Sequence, residues 1–316
     1  MARRMISWGM ALMLLFGLSA LTASAEGPAP VRVSFLGPAG TYTEEAAQFW
    51  FRNGEELLPK ETVNDAVADV LSGEAEYAVI PQENTLGGPV TGYLDVLIAA
   101  EDISVVGEVV LPICQTLMAV PGTRLEDITT VCSHVQGLTQ SARWREENLP
   151  NARTREMSST AAAASCVADQ QDKSLAAVAA PGAAALYGLE VLAENVQITD
   201  TNKTRFYVLS LRPTEVEDLT HAVFVATCDA DRIDDILIAM HDTGLETVAL
   251  HDRPEGSRLG MYHYVIEAKN EAGISDTQIR DVCAEEGVRF LGRFQAVDAV
   301  AEPAGIHAED DLAEAA

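Results

Sequence analysis

Apolar and polar positions change period many times along this chain, and the changes mark out its elements. Residues 31–36 alternate with period two, as a half-buried strand does. Gly37-Pro38-Ala39-Gly40 then turns the backbone. Thr41, with Glu44 three positions on, has the spacing of a capping box, so a helix is predicted through Phe51. Apolar spacing next predicts a helix over 64–71, a strand over 77–80 and a helix over 93–100. Strands are predicted over 104–110 and 114–120, parted by Leu111-Pro112-Ile113, and over 129–132, with a helix starting near Gly137. Ser158-Ser159-Thr160 caps an alanine-rich helix through Ala168. A strand over 175–179 leads to a helix from Pro181, a residue favoured at the first helical position, to Tyr187. A run rich in β-branched and aromatic residues then closes this region as a buried strand beginning at Thr204. Strand and helix thus alternate over the first two hundred residues, which predicts an α/β fold with one mainly parallel sheet or two.

Residues 212–218 are charged, polar and interrupted by Pro213, the composition of a linker. Beyond them the predicted order is strand (222–227), helix (233–241), strand (247–251), strand (262–267), helix (276–285), strand (288–291). That is a ferredoxin-like βαββαβ unit. Two helices cover one face of such a sheet; the other face falls to a partner or to water. The chain therefore divides into a domain over 31–211 and a second over 219–300, followed by an acidic tail over 301–316 predicted to be disordered.

Residues 1–25 read as a targeting segment. Arg3 and Arg4 precede an apolar run too short for a comfortable membrane span, and Ala23-Ser24-Ala25 fits an A-x-A cleavage site. A secretory signal and export to the periplasm are the expectation, with an uncleaved anchor as the alternative. The net charge is -27, and losing Arg3 and Arg4 takes it to -29. Charge of this sign excludes non-specific nucleic-acid binding, which needs a basic face. It also means that an anionic substrate must be drawn in by local cations. The five cysteines, Cys114, Cys132, Cys166, Cys228 and Cys283, are widely spaced and odd in number, so they read as buried small hydrophobes and not as a disulfide framework. No cluster has zinc-ligand spacing, and no metal is expected.

Candidate chemistry gathers at strand ends. Asn202-Lys203-Thr204-Arg205-Phe206 places one hydroxyl and one fixed cation where a polar loop becomes an apolar strand, a common position for a ligand in an α/β sheet. The alternative is an ordinary ion pair at Arg205. The strand over 77–80 ends in Pro81-Gln82-Glu83-Asn84-Thr85 and then glycines, which looks like a binding corner, with Glu83 as an acid or an orienter. The glycine turn before Thr41 would suit a carboxylate, though an ordinary turn explains it as well. His134, at the end of the strand over 129–132, reads as structural. Ser133 has no triad partner in a suitable spacing.

Taken together and in order, six stretches make the chain resemble the prephenate dehydratase family with a C-terminal ACT regulatory domain. They are residues 35–43, residues 78–85 with the glycines after them, residues 133–140, residues 159–162 with 186–193, and the Thr204-Arg205-Phe206 signature. The resemblance implies a two-lobed catalytic domain like a periplasmic binding protein, plus the βαββαβ ACT unit. It implies a lyase that decarboxylates and dehydrates prephenate to phenylpyruvate, carbon dioxide and water, in phenylalanine biosynthesis, with no cofactor. Carried onto this chain, Thr204 donates to the departing hydroxyl, and Asn84, Gln140 and Glu83 complete the catalytic set. Ser133, Thr41, Thr160 and Gln136 bind the substrate, and Arg205 supplies positive charge at or near the site, directly or through a neighbouring residue. L-Phenylalanine is the implied effector, and pairing of ACT sheets implies a homodimer or homotetramer.

The chain departs from the family pattern in places. Gln82 stands where an apolar residue is usual, and Val135 where proline is usual. The regulatory motif reads His251-Asp252-Arg253-Pro254, keeping only Arg253 and Pro254. Two further readings compete with a prephenate dehydratase: an enzyme acting on arogenate, and an exported, non-catalytic protein that binds an aromatic amino acid.

Overall fold

The computed structural model describes residues 30–299 apart from 53, 215, 217 and 218. The expected signal over 1–25 and the acidic tail over 301–316 lie outside the described residues, as do three positions of the expected linker over 212–218.

The first lobe opens with β1 (Arg32–Leu36), buried at its three middle residues. Thr41 caps α1 (Tyr42–Phe51), accepting the Glu44 N–H at 3.4 Å, while the Glu44 carboxylate closes on the Gly40 N–H at 2.5 Å. The capping residues are those expected, but the return bond lands one residue early. Then come β2 (Glu56–Lys60), α2 (Val63–Ser72), β3 (Tyr77–Asn84), β4 (Gly88–Pro89), α3 (Thr91–Ala99) and β5 (Ser104–Pro112). The second lobe runs β6 (Thr116–Ala119), β7 (Thr130–Ser133), α4 (Val135–Gln140), α5 (Ala142–Asn148), β8 (Arg153–Glu156), α6 (Thr160–Gln170), β9 (Leu175–Ala179), α7 (Pro181–Tyr187) and β10 (Glu190–Ala193). The chain then returns to the first sheet as β11 (Lys203–Ser210). The C-terminal unit is β12 (His221–Asp229), α8 (Ile233–Asp242), β13 (Glu246–Pro254), β14 (Met261–Lys269), α9 (Asp276–Val282) and β15 (Val288–Phe294), followed by β16 (Ala296–Asp298).

Among the described residues three sheets form. The first has the order β16-β5-β11-β3-β1-β2 with β4 beside β3, the second β10-β6-β9-β7-β8, and the third β13-β14-β12-β15. Both sheets of the α/β region are mixed, with most strands of each running in one direction. β1, β2 and β3 run parallel, but β11 is antiparallel to both β3 and β5. In the second sheet β6 is antiparallel to β9. The antiparallel strands are those next to the two crossings between lobes, where the chain enters a sheet from the far side. The strands β2, β8, β10 and β16 escape the sequence pattern. β2 carries Pro59 at a sheet edge, and all four residues of β8 are exposed, so neither shows an apolar alternation.

β11 is the centre of the molecule. On one face Tyr207 and Leu209 join Ile80, Tyr93, Leu97 and Val105 in one core. On the other Phe206 and Val208 pack with Phe35, Val79 and Val109. The first of these cores is shared with the C-terminal sheet, which adds Val223, Val225, Val265, Leu291 and Phe294. So the sheet face expected to meet a partner or water is packed on the first lobe of the same chain, while α8 supplies Ile236 and Met240, and α9 Val282, to a core on the opposite face. The contact is polar at one end: Arg289 donates to the carbonyls of Leu97 and Ile98, at 2.5 and 3.0 Å, where α3 runs out of internal partners. β16 then pairs parallel with β5, so the last strand of the span over 219–300 belongs to the first sheet. The cysteines are free; Cys132 and Cys228 are buried, and the other three are only half-buried.

Gly292 of β15, with φ 149°, lies against β5. A Cβ there would fall on the backbone carbonyl oxygen of Val105. Gly292→Ala is expected to lower stability by about 2 kcal/mol or more, read as a drop in thermal midpoint; an unchanged midpoint would mean the sheets are not in contact there.

Candidate active site

β3 and β11 pair so that Thr204 lies opposite Asn84, and Arg205 opposite Glu83. Asn84 is fixed at both ends of its amide. Its Oδ1 accepts the backbone N–H groups of Leu86 and Gly87 at 3.0 and 2.9 Å, which sets the orientation of the group. Its Nδ2 donates to Thr204 Oγ1 at 2.8 Å, to Asn202 Oδ1 at 2.9 Å and to the Lys203 carbonyl at 3.2 Å. Because Thr204 Oγ1 accepts from Asn84, its own proton is left for another acceptor. Asn202 was absent from the expected set. It is buried, and its Nδ2 has no partner, a donor held without an acceptor at the side of Thr204.

The second lobe brings Gln140. This residue is buried, and its Oε1 accepts from Gln115 Nε2 at 2.8 Å. Gln115, also outside the expected set, is buried with an unpartnered Oε1. Both glutamines sit against the crossings between lobes. Ile113 N–H bonds to Asn202 O at 2.9 Å, Val196 N–H to Gln115 O at 2.9 Å, and Ile198 N–H to Gln140 O at 2.7 Å. The two crossing segments therefore run side by side and tie Asn202 to Gln115 and Gln140. Gln136 is on α4, and its Nε2 lies 2.7 Å from where a Cβ on Gly87 would be, so it reaches the loop after Asn84. At another point the lobes meet through Tyr187, whose hydroxyl donates to Ala39 O at 2.7 Å.

The remaining expected residues divide. Thr41 is the cap of α1, with its hydroxyl donating to Leu36 O at 3.3 Å. Thr160 follows Ser159, which is the actual cap of α6 and accepts the Ala162 N–H at 2.9 Å. Ser133 corrects the expectation of a substrate contact: it is fully buried under Gly137 and donates to Val178 O at 2.6 Å.

Arg205, expected to supply positive charge at or near the site, stands in a cluster of carboxylates. Successive side chains of a strand point to opposite faces, so Arg205 lies behind the sheet that carries Thr204. Its guanidinium meets Glu108 at 2.7 Å, Glu267 of the C-terminal sheet, and Glu83 at 3.7 Å. Glu83 is on that same rear face, 3.8 Å from His251 Nε2. Burial works against the Arg205 charge, but Glu108 and Glu267 outweigh it and raise its pKa. Burial first, and then repulsion from Glu267, push Glu108 up to about 7. The segment His251-Asp252-Arg253-Pro254 also faces the first lobe: His251 Nδ1 meets the Tyr93 hydroxyl, and Arg253 grips Asp95 at 2.7 and 3.1 Å. Pro254 ends β13 opposite Tyr262.

The front face thus offers one hydroxyl donor, several amides and buried polar atoms awaiting partners. Such a site suits a reaction in which oxygen leaves while carboxylates are held. Among the described residues no group of three or more His, Cys, Asp or Glu side chains could hold a metal ion.

A family model described as prephenate dehydratase matches residues 33–214. A prephenate dehydratase from Amycolatopsis methanolica is 35% identical over 288 residues, covering 86% of this chain and 92% of that protein. Among solved structures, a prephenate dehydratase from Arthrobacter aurescens in complex with L-Phe has a TM-score of 0.75 at 30% identity, over 90% of this chain and 97% of that one. GqqA, described as a novel type of quorum quenching acylase, has a TM-score of 0.74 at 26% identity, over 84% and 98%.

The rear cluster makes a pH signature. A carboxylate with a raised folded pKa is protonated in the native state while the unfolded chain has released its proton. Glu108 therefore lowers stability as pH rises from about 4.5 to about 7. His221, whose pKa burial lowers, contributes the opposite slope. The difference between wild type and Glu108→Gln isolates the first effect: denaturant titrations at pH 5 and pH 8 should show the variant losing less stability, by an amount on the order of 3 kcal/mol.

Proposed function

The chain belongs to the prephenate dehydratase family, and from that premise we propose how its own residues carry the reaction. Loss of carbon dioxide from prephenate returns the electron pair of the broken C–C bond to the ring. The ring becomes aromatic as the C–O bond at its far side breaks. Hydroxide is a poor leaving group, so a proton must reach it in the transition state. Thr204 gives that proton, and the oxygen leaves as water; solvent restores the Thr204 hydroxyl. Asn84 holds the donor, and Gln140 with Gln136 and Asn202 offer N–H groups to the substrate's carboxylates and carbonyl. The observation that carries this reading is the bond from Asn84 Nδ2 to Thr204 Oγ1 at 2.8 Å, which turns the hydroxyl proton away from Asn84. No nucleophile is required, since the aromatic product supplies the driving force.

The C-terminal unit is proposed to be an ACT domain. Its support is the strand order β13-β14-β12-β15 and the likeness to an enzyme solved with L-Phe. L-Phenylalanine is the proposed ligand of this chain too. β13 is an edge strand with Val248 and Leu250 exposed, which supports pairing of two copies into a homodimer or a homotetramer. Residues 1–25 support export to the periplasm.

Phenylpyruvate formed from prephenate, followed by ultraviolet absorbance, tests the assignment. Thr204→Ala is expected to lower kcat by about 10²- to 10⁴-fold with the fold retained, and Thr204→Ser to keep much more activity. Wild-type turnover in Thr204→Ala would remove the role given to that hydroxyl. Calorimetric titration of the whole protein with L-phenylalanine, tyrosine and tryptophan should show heat for phenylalanine; no heat with any of the three would remove the proposed ligand.

A further inference from the structure

We propose that Glu267, on the C-terminal sheet, is a positioning residue for the proton donor Thr204. This inference rests on the reading of Thr204 given above. Glu267 lies on β14, and its two oxygens take three donors from the first lobe. Oε1 meets the Arg205 guanidinium. Oε2 accepts the Tyr207 hydroxyl at 2.6 Å and Gln82 Nε2 at 3.3 Å, and Gln82 Nε2 also donates to the Tyr207 hydroxyl at 2.9 Å. Arg205 follows Thr204 on β11, and Gln82 lies two residues before Asn84 on β3. One carboxylate thus holds both strands that carry the front-face pair, from behind.

The place where it does so matters. The β3–β11 register shifts between Arg205 and Phe206, so Gln82 is the extra residue of a bulge. A bulge leaves one residue out of the ladder and re-aims the side chains beside it. The ladder is interrupted there, two residues from the Thr204–Asn84 pair, which keeps a backbone bond on its other side from Thr85 N–H to Lys203 O at 2.9 Å. The buried network spans that gap. Gln82, Tyr207 and Glu267 are each no more than 1% exposed. An apolar core could fill the same space without the cost of dehydrating a carboxylate. What an apolar core lacks is direction: the network fixes the angle at which β11 presents Thr204 to Asn84. A misplacement of about 1 Å at a reacting group costs about a hundredfold in rate. The sequence departure at Gln82 belongs to this device, since an apolar residue there could not donate to Glu267.

The test uses the whole protein and prephenate turnover, with near-ultraviolet circular dichroism and thermal unfolding to count folded enzyme. Glu267→Gln is expected to lower kcat per folded molecule by about tenfold or more while KM moves less than about twofold. Tyr207→Phe, which removes a single hydroxyl, should lower kcat in the same sense by a smaller factor. In a Thr204→Ala background Glu267→Gln should add little further loss, because it acts through Thr204. A merely structural role would lower the thermal midpoint and leave kcat per folded molecule unchanged. Wild-type kcat in folded Glu267→Gln and Tyr207→Phe overturns the proposal; should Glu267→Gln fail to fold, Tyr207→Phe decides on the same criterion. If Thr204→Ala itself turns over normally, the reading of Thr204 falls and this inference with it. If Thr204→Ala is inactive and the rear variants are not impaired, only the role of Glu267 falls.

Discussion

The pleat of β11 is the constraint on which the rest of the structure turns. Thr204 and Arg205 are neighbours in sequence, and the extended backbone sends them to opposite sides of one sheet. In front, Thr204 shares a hydrogen bond with Asn84. Behind, Arg205 is enclosed by Glu83, Glu108 and Glu267. The guanidinium is half-buried, and two of its partners, Glu108 and Glu267, are buried; removing one partner of a buried ion pair typically costs about 3–5 kcal/mol. That strength keeps the cation from reaching round to a substrate. A sheet only one residue thick separates the chemistry of the cleft from the contact with the C-terminal unit, and both sides are built from the same two strands.

The second lobe is inserted into the first, between β5 and β11, and the two strands of passage lie against each other. Gln115 and Asn202 come from these passages. Each is buried with an amide atom unsatisfied, an arrangement a protein retains only where something else completes it or where the strain is useful. Gln140 joins them from α4 by way of Gln115. The front face is therefore assembled where the lobes are joined, and a shift of one lobe on the other would pull at the very residues that line it.

Much of this was legible in the sequence because the local signals were strong. The cap at Thr41, the five buried residues Leu175–Ala179 and the helix Pro181–Tyr187 follow directly from spacing, burial pattern and proline geometry. So does the order of the C-terminal unit. The misses have a common cause. β8 and β2 lie at sheet edges, where water and not packing chooses the residues, and the pattern of alternation disappears. Asn202 and Gln115 sit in irregular backbone, where period carries no information. Ser133 and Arg205 entered the expected set through the family resemblance, which carries residue types and not directions: neighbours in an extended strand face opposite sides, and the short hydroxyl under Gly137 donates to the Val178 carbonyl. Coverage of the C-terminal sheet by the first lobe could not be read at all, since it depends on residues far apart in sequence, such as Tyr207 with Glu267 and Leu97 with Arg289.

β16 gives this chain an architecture that resists dissection. Having left the first sheet at Ser210 and built a sheet of its own, the polypeptide comes back to lie along β5, and Lys203 meets Asp298 at 2.7 Å beside it. A gene cut at the linker would strip that strand away and expose a raw hydrogen-bonding rim along β5, the kind of edge on which neighbouring molecules stack into aggregates. Shuffling this C-terminal unit onto another enzyme, as modular regulatory parts are often shuffled, would therefore carry off a piece of the catalytic body with it.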